Sequence, residues 1–351
     1  MGEIMLKYDI SEIPLAVHRM ESMPHVEAIS GLSDVFAPDV ENTYSAAGSL
    51  PCRAVVLNIE QGTRLKWIIP FLSLHPELHN ADIILANELD YGMARSENVH
   101  TTKMLAEALH MNFAFGVEFI TVNAGKNGNA QGLHGNAILS RYPIDRVKLV
   151  HLPIEYEWFY REGDSRLGTR MALLAQIRIG KHDIGVVCVH LENRASPMGR
   201  VRQFTYLLDE IDAYFGNLPV LIGGDMNTNT VDGDSQSNME ELKDKAELMK
   251  RLGAIPEYEP MMELAAARGY AYRDCNLFNK STRRKHMPGE EDVLLNLDWF
   301  FQRGLSCSLP ARVETIFDHT ALPGCPEYMK EFDGKELSDH DAIAVTFDVK
   351  P

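Results

Sequence analysis

Two short segments hold the residue types that acid–base or metal chemistry needs, Leu221-Ile-Gly-Gly-Asp-Met-Asn-Thr228 and Leu337-Ser-Asp-His-Asp341. Each sets carboxylate with amide or imidazole groups beside an apolar, β-like run. The first run, Pro219 to Ile222, leads through Gly223 and Gly224 to Asp225 and Asn227. In the second, Asp339 and His340 lead into Ala342 to Phe347. Polar groups at the mouth of a buried strand are costly unless something uses them, and strand ends are where α/β proteins usually bind ligands. The pattern points to a hydrolytic enzyme.

Other apolar runs end the same way. Asn58 and Glu60 follow the first, Glu88 the second, and His190 with Glu192 a later one; Asp298 sits within Asn296-Leu-Asp-Trp299. Carboxylate and amide oxygens suit Mg²⁺ or Mn²⁺, and the scarcity of cysteine near them disfavours zinc. Each residue also has an ordinary reading. Glu88 can be a solvated turn residue or a helix cap, Asp225 and Asn227 an Asx-turn, and His190 a core histidine bonded to a carbonyl. Asp298 can cap a turn, and Asp339 can flank a strand. It is their recurrence at one strand end after another that favours a shared site.

The elements that must position them are legible as patterns. Arg53–Asn58 and Asp82–Asn87 read as buried strands, separated by a helix over Leu65–Leu78; Thr101–His110 reads as a second helix. Asn136–Ser140, Arg146–Val150, Arg170–Ile179 and Ile184–His190 read as strands, the last two joined by a Gly180–Asp183 hairpin turn. Pro197–Phe215, with its early proline, Glu240–Leu252 and Pro260–Arg268 read as helices. Pro219–Ile222, Leu295–Phe301, Ala311–Phe317 and Ala342–Val349 complete the strands, and Gly125–Gly132 is a turn-rich loop. Hairpins mixed with strand–helix alternation predict a mixed sheet, or two packed sheets, flanked by helices. No internal repeat or low-complexity linker divides the chain. The expected organisation is an N-terminal extension over 1–50 packed on one catalytic domain over 51–351.

In order, Asn58-x-Glu60, Leu85-Ala-Asn-Glu88, Gly135-Asn-Ala-Ile-Leu-Ser140, Val189-His-Leu191, Gly223-Gly-Asp-Met-Asn227, Leu297-Asp298 and Ser338-Asp-His340 resemble the endonuclease/exonuclease/phosphatase (DNase I-like) superfamily. The Gly-Asp-Met-Asn and Ser-Asp-His blocks are the most specific of these. The resemblance implies a four-layer α/β sandwich, with two mixed β-sheets face to face and helices outside. It also implies a divalent-metal-dependent phosphoester hydrolase using Mg²⁺ or Mn²⁺. By that resemblance Glu88 is the principal metal ligand, Asn58 and Asp339 lie near the same cation, and Glu60 is a further ligand or supporting group. Asp225 orients or deprotonates the attacking water, and Asn227 holds a non-bridging phosphate oxygen. His340, oriented by Asp298, binds the scissile phosphate or acts as base, and His190 opposite it assists the leaving group. The phosphate-contacting set expected is Asn58, Arg170, Asn227 and His340.

Composition bounds the partner. The 351 residues carry 34 basic and 50 acidic side chains, a net charge of −16, which argues against affinity built mainly on Lys and Arg contacts to nucleic acid. A metal at the site can still supply positive charge to a phosphate. No apolar run is long enough to span a bilayer. The five cysteines are scattered with no CxxC pair, for which a reducing cytoplasm is the simplest setting.

Two segments speak to substrate. Lys280-Ser-Thr-Arg-Arg-Lys-His286 is either a basic loop beside the site or a solvated one. Tyr156-Glu-Trp-Phe-Tyr160 stacks on a base, touches lipid at an interface or covers the domain's own core. Arg202 and Gln203, after His190, read as phosphate or structural contacts, with Arg202 more simply a solvated surface residue. The expected partner is a phosphoester, whether small-molecule, lipid-linked or nucleic acid. The alternatives are a nuclease of the same fold and a non-catalytic phosphate-binding module.

Overall fold

A computed structural model describes residues 32–121, 128–159, 161, 163, 165–287 and 289–350. Its strands are β1 (Asp39–Glu41), β2 (Cys52–Asn58), β3 (Ile83–Tyr91), β4 (Asn112–Thr121), β5 (Leu133–Ser140), β6 (Ile144–His151), β7 (Arg166–Gly168) and β8 (Met171–Ile179). They continue as β9 (His182–His190), β10 (Val220–Asp225), β11 (Arg283–Lys285), β12 (Val293–Leu295), β13 (Asp298–Arg303), β14 (Leu305–Val313) and β15 (Ala342–Val349).

Runs such as Ala54–Leu57 are apolar at every position, so both faces need cover. The fold supplies it. One sheet runs β1-β4-β5-β3-β2-β15-β14, with β7 also pairing β4, and a second runs β13-β10-β9-β8-β6. Both are mixed: β2/β3 and β9/β10 are parallel and the other pairings are antiparallel. Val56, Leu85 and Ile138 of the first sheet pack against Leu173, Val186, Cys188 and Leu221 of the second. On the outer face of the first sheet lie the helices Leu65–Leu74 and Thr101–Leu109, through Ile68, Phe71 and Leu105. The helices Pro197–Phe215 and Met261–Ala267 cover the second through Phe204, Leu208 and Met262. Each such side chain contributes about 1.5–3 kcal/mol of burial. The result is the expected four-layer α/β sandwich.

Several boundaries differ from the sequence expectation, each for a local reason. The helix expected to reach Leu78 stops at Leu74, where His75 turns extended ahead of Pro76. Glu240–Leu252 divides into Gln236–Glu241 and Lys245–Gly253, because the Asp244 carboxylate accepts from the Ala246 and Glu247 amides and starts a new helix. Leu295–Phe301 breaks at Asn296 and Leu297, whose carbonyls bond to Thr228 Oγ1 and Met226 N. The strand expected over Ala311–Phe317 is instead Leu305–Val313, an edge strand that accommodates Pro310 at a register shift. β4, absent from the sequence reading, is buried on both faces except at its last residue. Of the first fifty residues, β1 pairs antiparallel with Phe113–Phe115 of β4. Residues 1–31 lie outside the described residues, as do 125–127 of the turn-rich loop.

Candidate active site

Register alone gathers half of the site. On the second sheet Asp225 is directly opposite His190 on β9 and Asp298 on β13. On the first, Asn58 faces Asn87. Asn58 Nδ2 then donates to Glu88 Oε1 at 3.1 Å and across the sandwich to Asp225 Oδ2 at 3.2 Å. Asn87 ties the sheets together beneath it. Its Nδ2 donates to the Val189 carbonyl (3.1 Å) and to Asn136 Oδ1 (2.9 Å), and its Oδ1 accepts from the Asp225 amide (2.9 Å).

Asp225 Oδ2 lies between two imidazoles, 3.5 Å from His190 Nε2 and 3.6 Å from His340 Nε2. The other nitrogen of each ring is held by a buried carboxylate: His340 Nδ1 is 2.9 Å from Asp298 Oδ2, and His190 Nδ1 is 3.2 Å from Glu118 Oε2. Those contacts turn Nε2 of each ring towards Asp225. Ser338 fixes the His340 loop, donating to the Asn58 carbonyl at 2.6 Å and accepting from the His340 amide at 3.1 Å.

Backbone geometry aims the remaining groups. Glu88 has φ +59° at a register shift in β3, so a bulge redirects its side chain out of the strand alternation. Asn227 is also left-handed, with φ +48°; its amide donates to Asp225 Oδ1 at 2.9 Å and its Nδ2 to the Leu191 carbonyl at 2.9 Å. Gly224 (φ +145°) admits no side chain, since a Cβ there would meet the Val189 carbonyl oxygen at 1.9 Å. Strained residues concentrated around one cluster are a mark of functional sites.

The sequence profile of the Endonuclease/Exonuclease/phosphatase family matches residues 57–284. The chain belongs to that family. Members of the Endonuclease/Exonuclease/phosphatase family are hydrolases acting on phosphoester bonds. Among curated proteins, the uncharacterised YbhP of Escherichia coli is 26% identical over 185 residues, 50% of this chain and 66% of YbhP, so the chain spans just under two thirds of that relative. Among solved structures, an endonuclease/exonuclease/phosphatase from Beutenbergia cavernae has a TM-score of 0.54 at 17% identity, covering 86% of this chain and 72% of that one. The human Nocturnin catalytic domain, solved with a bound sulfate anion, has a TM-score of 0.52 at 13% identity, covering 90% and 98%. At these identities the likeness is one of fold.

Within this family framework, the expected residues fall into two groups. Asn58, Glu88, His190, Asp225, Asn227, Asp298 and His340 converge as described. Arg170, Glu60 and Asp339 are engaged otherwise. Arg170 is buried and spends all three nitrogens, on Glu118 Oε1 (2.5 Å), Glu192 Oε2 (3.2 Å) and Asn193 Oδ1 (3.3 Å), with the His190 ring 3.0 Å away. Glu60 accepts from Arg64 and from the Asp339 amide. Asp339 Oδ2 is gripped by Arg283, at 2.7 Å from Nη2 and 3.1 Å from Nε.

Arg202 is an exposed partner of Glu155, whereas Gln203 is buried and structural, accepting from the Glu192 amide. Trp158 packs inside and donates to Glu192 Oε2 at 2.8 Å; Tyr160 of the same aromatic run lies outside the described residues. The basic segment is no free loop. Its Arg284 is buried against Glu336, Asp341 and the Ser338 carbonyl.

Sequence reasoning missed Glu118 altogether and gave Asn136 no role. Asn136 Nδ2 donates to Glu118 Oε2 at 2.8 Å, continuing the chain Asp225–Asn87–Asn136–Glu118. The signal that could have found Glu118 was a carboxylate enclosed in the apolar run Asn112–Thr121.

Charge reinforces this arrangement. Burial alone would raise the Glu88 carboxyl, but the His190 and His134 charges and the Asn58 bond bring it down to about 2. Burial likewise opposes Glu118 ionisation, yet His190 and Arg170 hold its carboxyl well below the usual range. Burial disfavours charge on His340, and the Asp298 and Asp225 carboxylates overcome it, raising the ring to about 10. Burial, with Asp225 alongside, raises the Asp298 carboxyl, against the opposing pull of the His340 ring.

A metal would find hard oxygen donors here. Glu88 Oε2 and Asp339 Oδ1 accept no hydrogen bond from the described residues and stand with Asn58 and Asp225 at one end of the sandwich. Asp225, Asp298 and His340 also offer ligand atoms within 4.8 Å of one another. There His340 Nδ1 and Asp298 Oδ2 satisfy each other, which leaves Asp298 Oδ1, buried and without a hydrogen-bond partner, as the free oxygen of that group. Oxygen donors of this kind fit Mg²⁺ or Mn²⁺.

Proposed function

We propose that this protein is a divalent-metal-dependent phosphodiesterase or phosphatase. One observation carries the reading: Asp225 Oδ2 lies between His190 Nε2 and His340 Nε2, each ring backed by its own buried carboxylate. Such an acid between two oriented imidazoles suits a reaction that takes a proton from water and returns one to a leaving alkoxide.

Asp225 orients and deprotonates the attacking water. His340, kept cationic by Asp298 and Asp225, binds the non-bridging oxygens and stabilises their developing charge. Asn227 adds an amide contact to the same phosphate. His190 lies on the opposite side of Asp225 and delivers a proton to the leaving group. Arg170 acts through His190 and Glu118 rather than by touching phosphate.

Glu88 and Asp339 would hold Mg²⁺ or Mn²⁺, with Glu60 supporting Asp339 through its amide; Asn58, expected as a ligand, instead positions Glu88 and Asp225 through Nδ2 while its Oδ1 accepts from the Glu60 amide. The cation supplies neutralisation of phosphate charge and a lower pKa for coordinated water. The placement of Asp225 favours hydrolysis over a passive phosphate-binding role, which has no use for a buried base between two imidazoles.

The test is hydrolysis of bis-p-nitrophenyl phosphate with Mg²⁺ or Mn²⁺, against chelator and against Asp225→Asn. Turnover that requires the metal and vanishes in the variant supports the reading; turnover retained by Asp225→Asn overturns it.

A further inference from the structure

A third histidine stands at the mouth of the site and takes no part in the steps above. β5 lies between β3 and β4, with Asp90 and Phe119 directly opposite His134. Both neighbouring strands break register at this level, at Glu88 in β3 and at Glu118 in β4, so the two bulges flank His134. Strand alternation puts His134 on the face of Asn136 and Ile138, the inner face of the first sheet. Asn136 accepts from the Glu88 amide (3.4 Å) and donates to Glu118 Oε2 (2.8 Å). His134 is one pleat nearer the mouth, about 6.8 Å along the strand.

His134 is buried, and its Nδ1 is fixed 2.8 Å from Asp90 Oδ1 and 3.3 Å from Arg95 Nη2. Asp90 is itself enclosed, accepting from Arg95 Nε (2.7 Å), Arg95 Nη2 (2.8 Å) and Ser96 Oγ (3.1 Å). Nε2 bonds to none of the described residues, yet it is not sealed from solvent. His190 and His340 share this build, each a ring backed by a buried carboxylate with Nε2 turned to the site. β5 faces β9 across the sandwich. His134 is therefore on the His190 side of Asp225, the side that the proposed reaction gives to the leaving group.

We propose that His134 is a specificity-determining residue, its Nε2 hydrogen-bonding a hydroxyl carried by the leaving alcohol. The inference rests on the phosphoester-hydrolase reading and deepens it: the substrate is a phosphate ester of an alcohol that bears a further hydroxyl. A hydroxyl both donates and accepts, so it pairs with either tautomer of the ring. The guanidiniums beside the ring, Arg95 and Arg170, are spent on Asp90 and Glu118, so no surplus cation draws an anion there.

The test is calorimetric binding of phosphonates, which cannot be hydrolysed, to the full chain with Mg²⁺. 3,4-Dihydroxybutylphosphonate should bind roughly fivefold more tightly than butylphosphonate, the scale of one hydrogen bond. His134→Ala and His134→Phe should each bring that ratio close to one, and taking the ratio cancels any change common to both ligands. Should one variant fail to fold, the other decides. Equal binding by the wild type, no binding of the dihydroxy ligand, or a ratio that survives in a folded variant overturns the contact. Failure of the wild type to hydrolyse bis-p-nitrophenyl phosphate bears on the reaction-centre reading alone, because the binding ratio needs no turnover.

Discussion

Glu118 and His190 belong to different sheets, yet Glu118 Oε2 lies 3.2 Å from His190 Nδ1. The Asp298–His340 pair makes the reverse crossing: Asp298 opens β13 of the second sheet, and His340 precedes β15 of the first. Each imidazole is therefore oriented by the sheet facing its own. The geometry of the candidate site and the inter-sheet spacing are one and the same constraint.

Asp225→Asn keeps the size of the side chain and the Asn227 amide contact while removing the charge between the two rings. It should lower kcat on bis-p-nitrophenyl phosphate by about 10²–10⁴-fold, the range for loss of a positioned base. Steady-state kinetics, with circular dichroism to confirm folding, checks this.

Glu118→Gln removes the charge that Arg170 and His190 share. An uncompensated buried charge costs about 3–5 kcal/mol, eased here by Glu192 on the same guanidinium. Urea unfolding should show a loss towards the lower end of that range, together with reduced kcat. Glu118→Asp should recover part of both.

His340 titrates at about 10 in the folded chain, against an ordinary value of 6.5. A raised value means that the charged ring stabilises the fold: the contribution is complete below pH 6.5 and is lost as pH rises through about 10. In chelator, the melting-temperature advantage of the wild type over His340→Gln should therefore shrink across that window. An advantage that is constant from pH 6.5 to 10 would refute the assignment. Asp298→Asn removes the main opposing charge and should move the basic limb of the activity profile towards neutrality.

Metal binding should raise the melting temperature. At a free Mg²⁺ or Mn²⁺ concentration a hundred times Kd, the stabilisation is about 2.7 kcal/mol. Glu88→Gln should abolish the shift by removing the ionised carboxylate, and Lys285→Gln should leave it intact. Thermal denaturation with and without metal decides the point.

Gly224→Ala would press a methyl group onto the Val189 carbonyl oxygen in a backbone conformation that disfavours side chains. The expected loss is at least about 3 kcal/mol, at the severe end for a single substitution. Failure to accumulate as soluble protein would be the same result in stronger form.

How far the sequence carried this reading follows from what each residue's environment demands. Asp225, Asn227 and His340 were legible because glycines or a serine beside them mark a sharp exit from an apolar strand. Strands apolar on both faces need cover on both, which made a mixed sheet or two packed sheets with flanking helices legible; the four layers came from the family resemblance. Glu118 was not, because β4 shows neither alternation nor a turn residue at its end, and a carboxylate inside such a run looks like an interruption. Its partner Arg170 was read as a phosphate contact because sequence reports a charge without reporting what has already satisfied it. Arg283 and Lys285 were weighed as one basic loop, and only the pleat of β11 separates them from the inward-facing Arg284.

β1 has a consequence for anyone trimming the chain to its strongly apolar strands. Asp39–Glu41 zip onto Phe113–Phe115, a few positions upstream of Glu118 on the same strand. A truncation beginning at the first strongly apolar strand would strip the outer rail from the beam that steadies one of the two histidines. Any turnover the protein has would be expected to fall before its shape was lost.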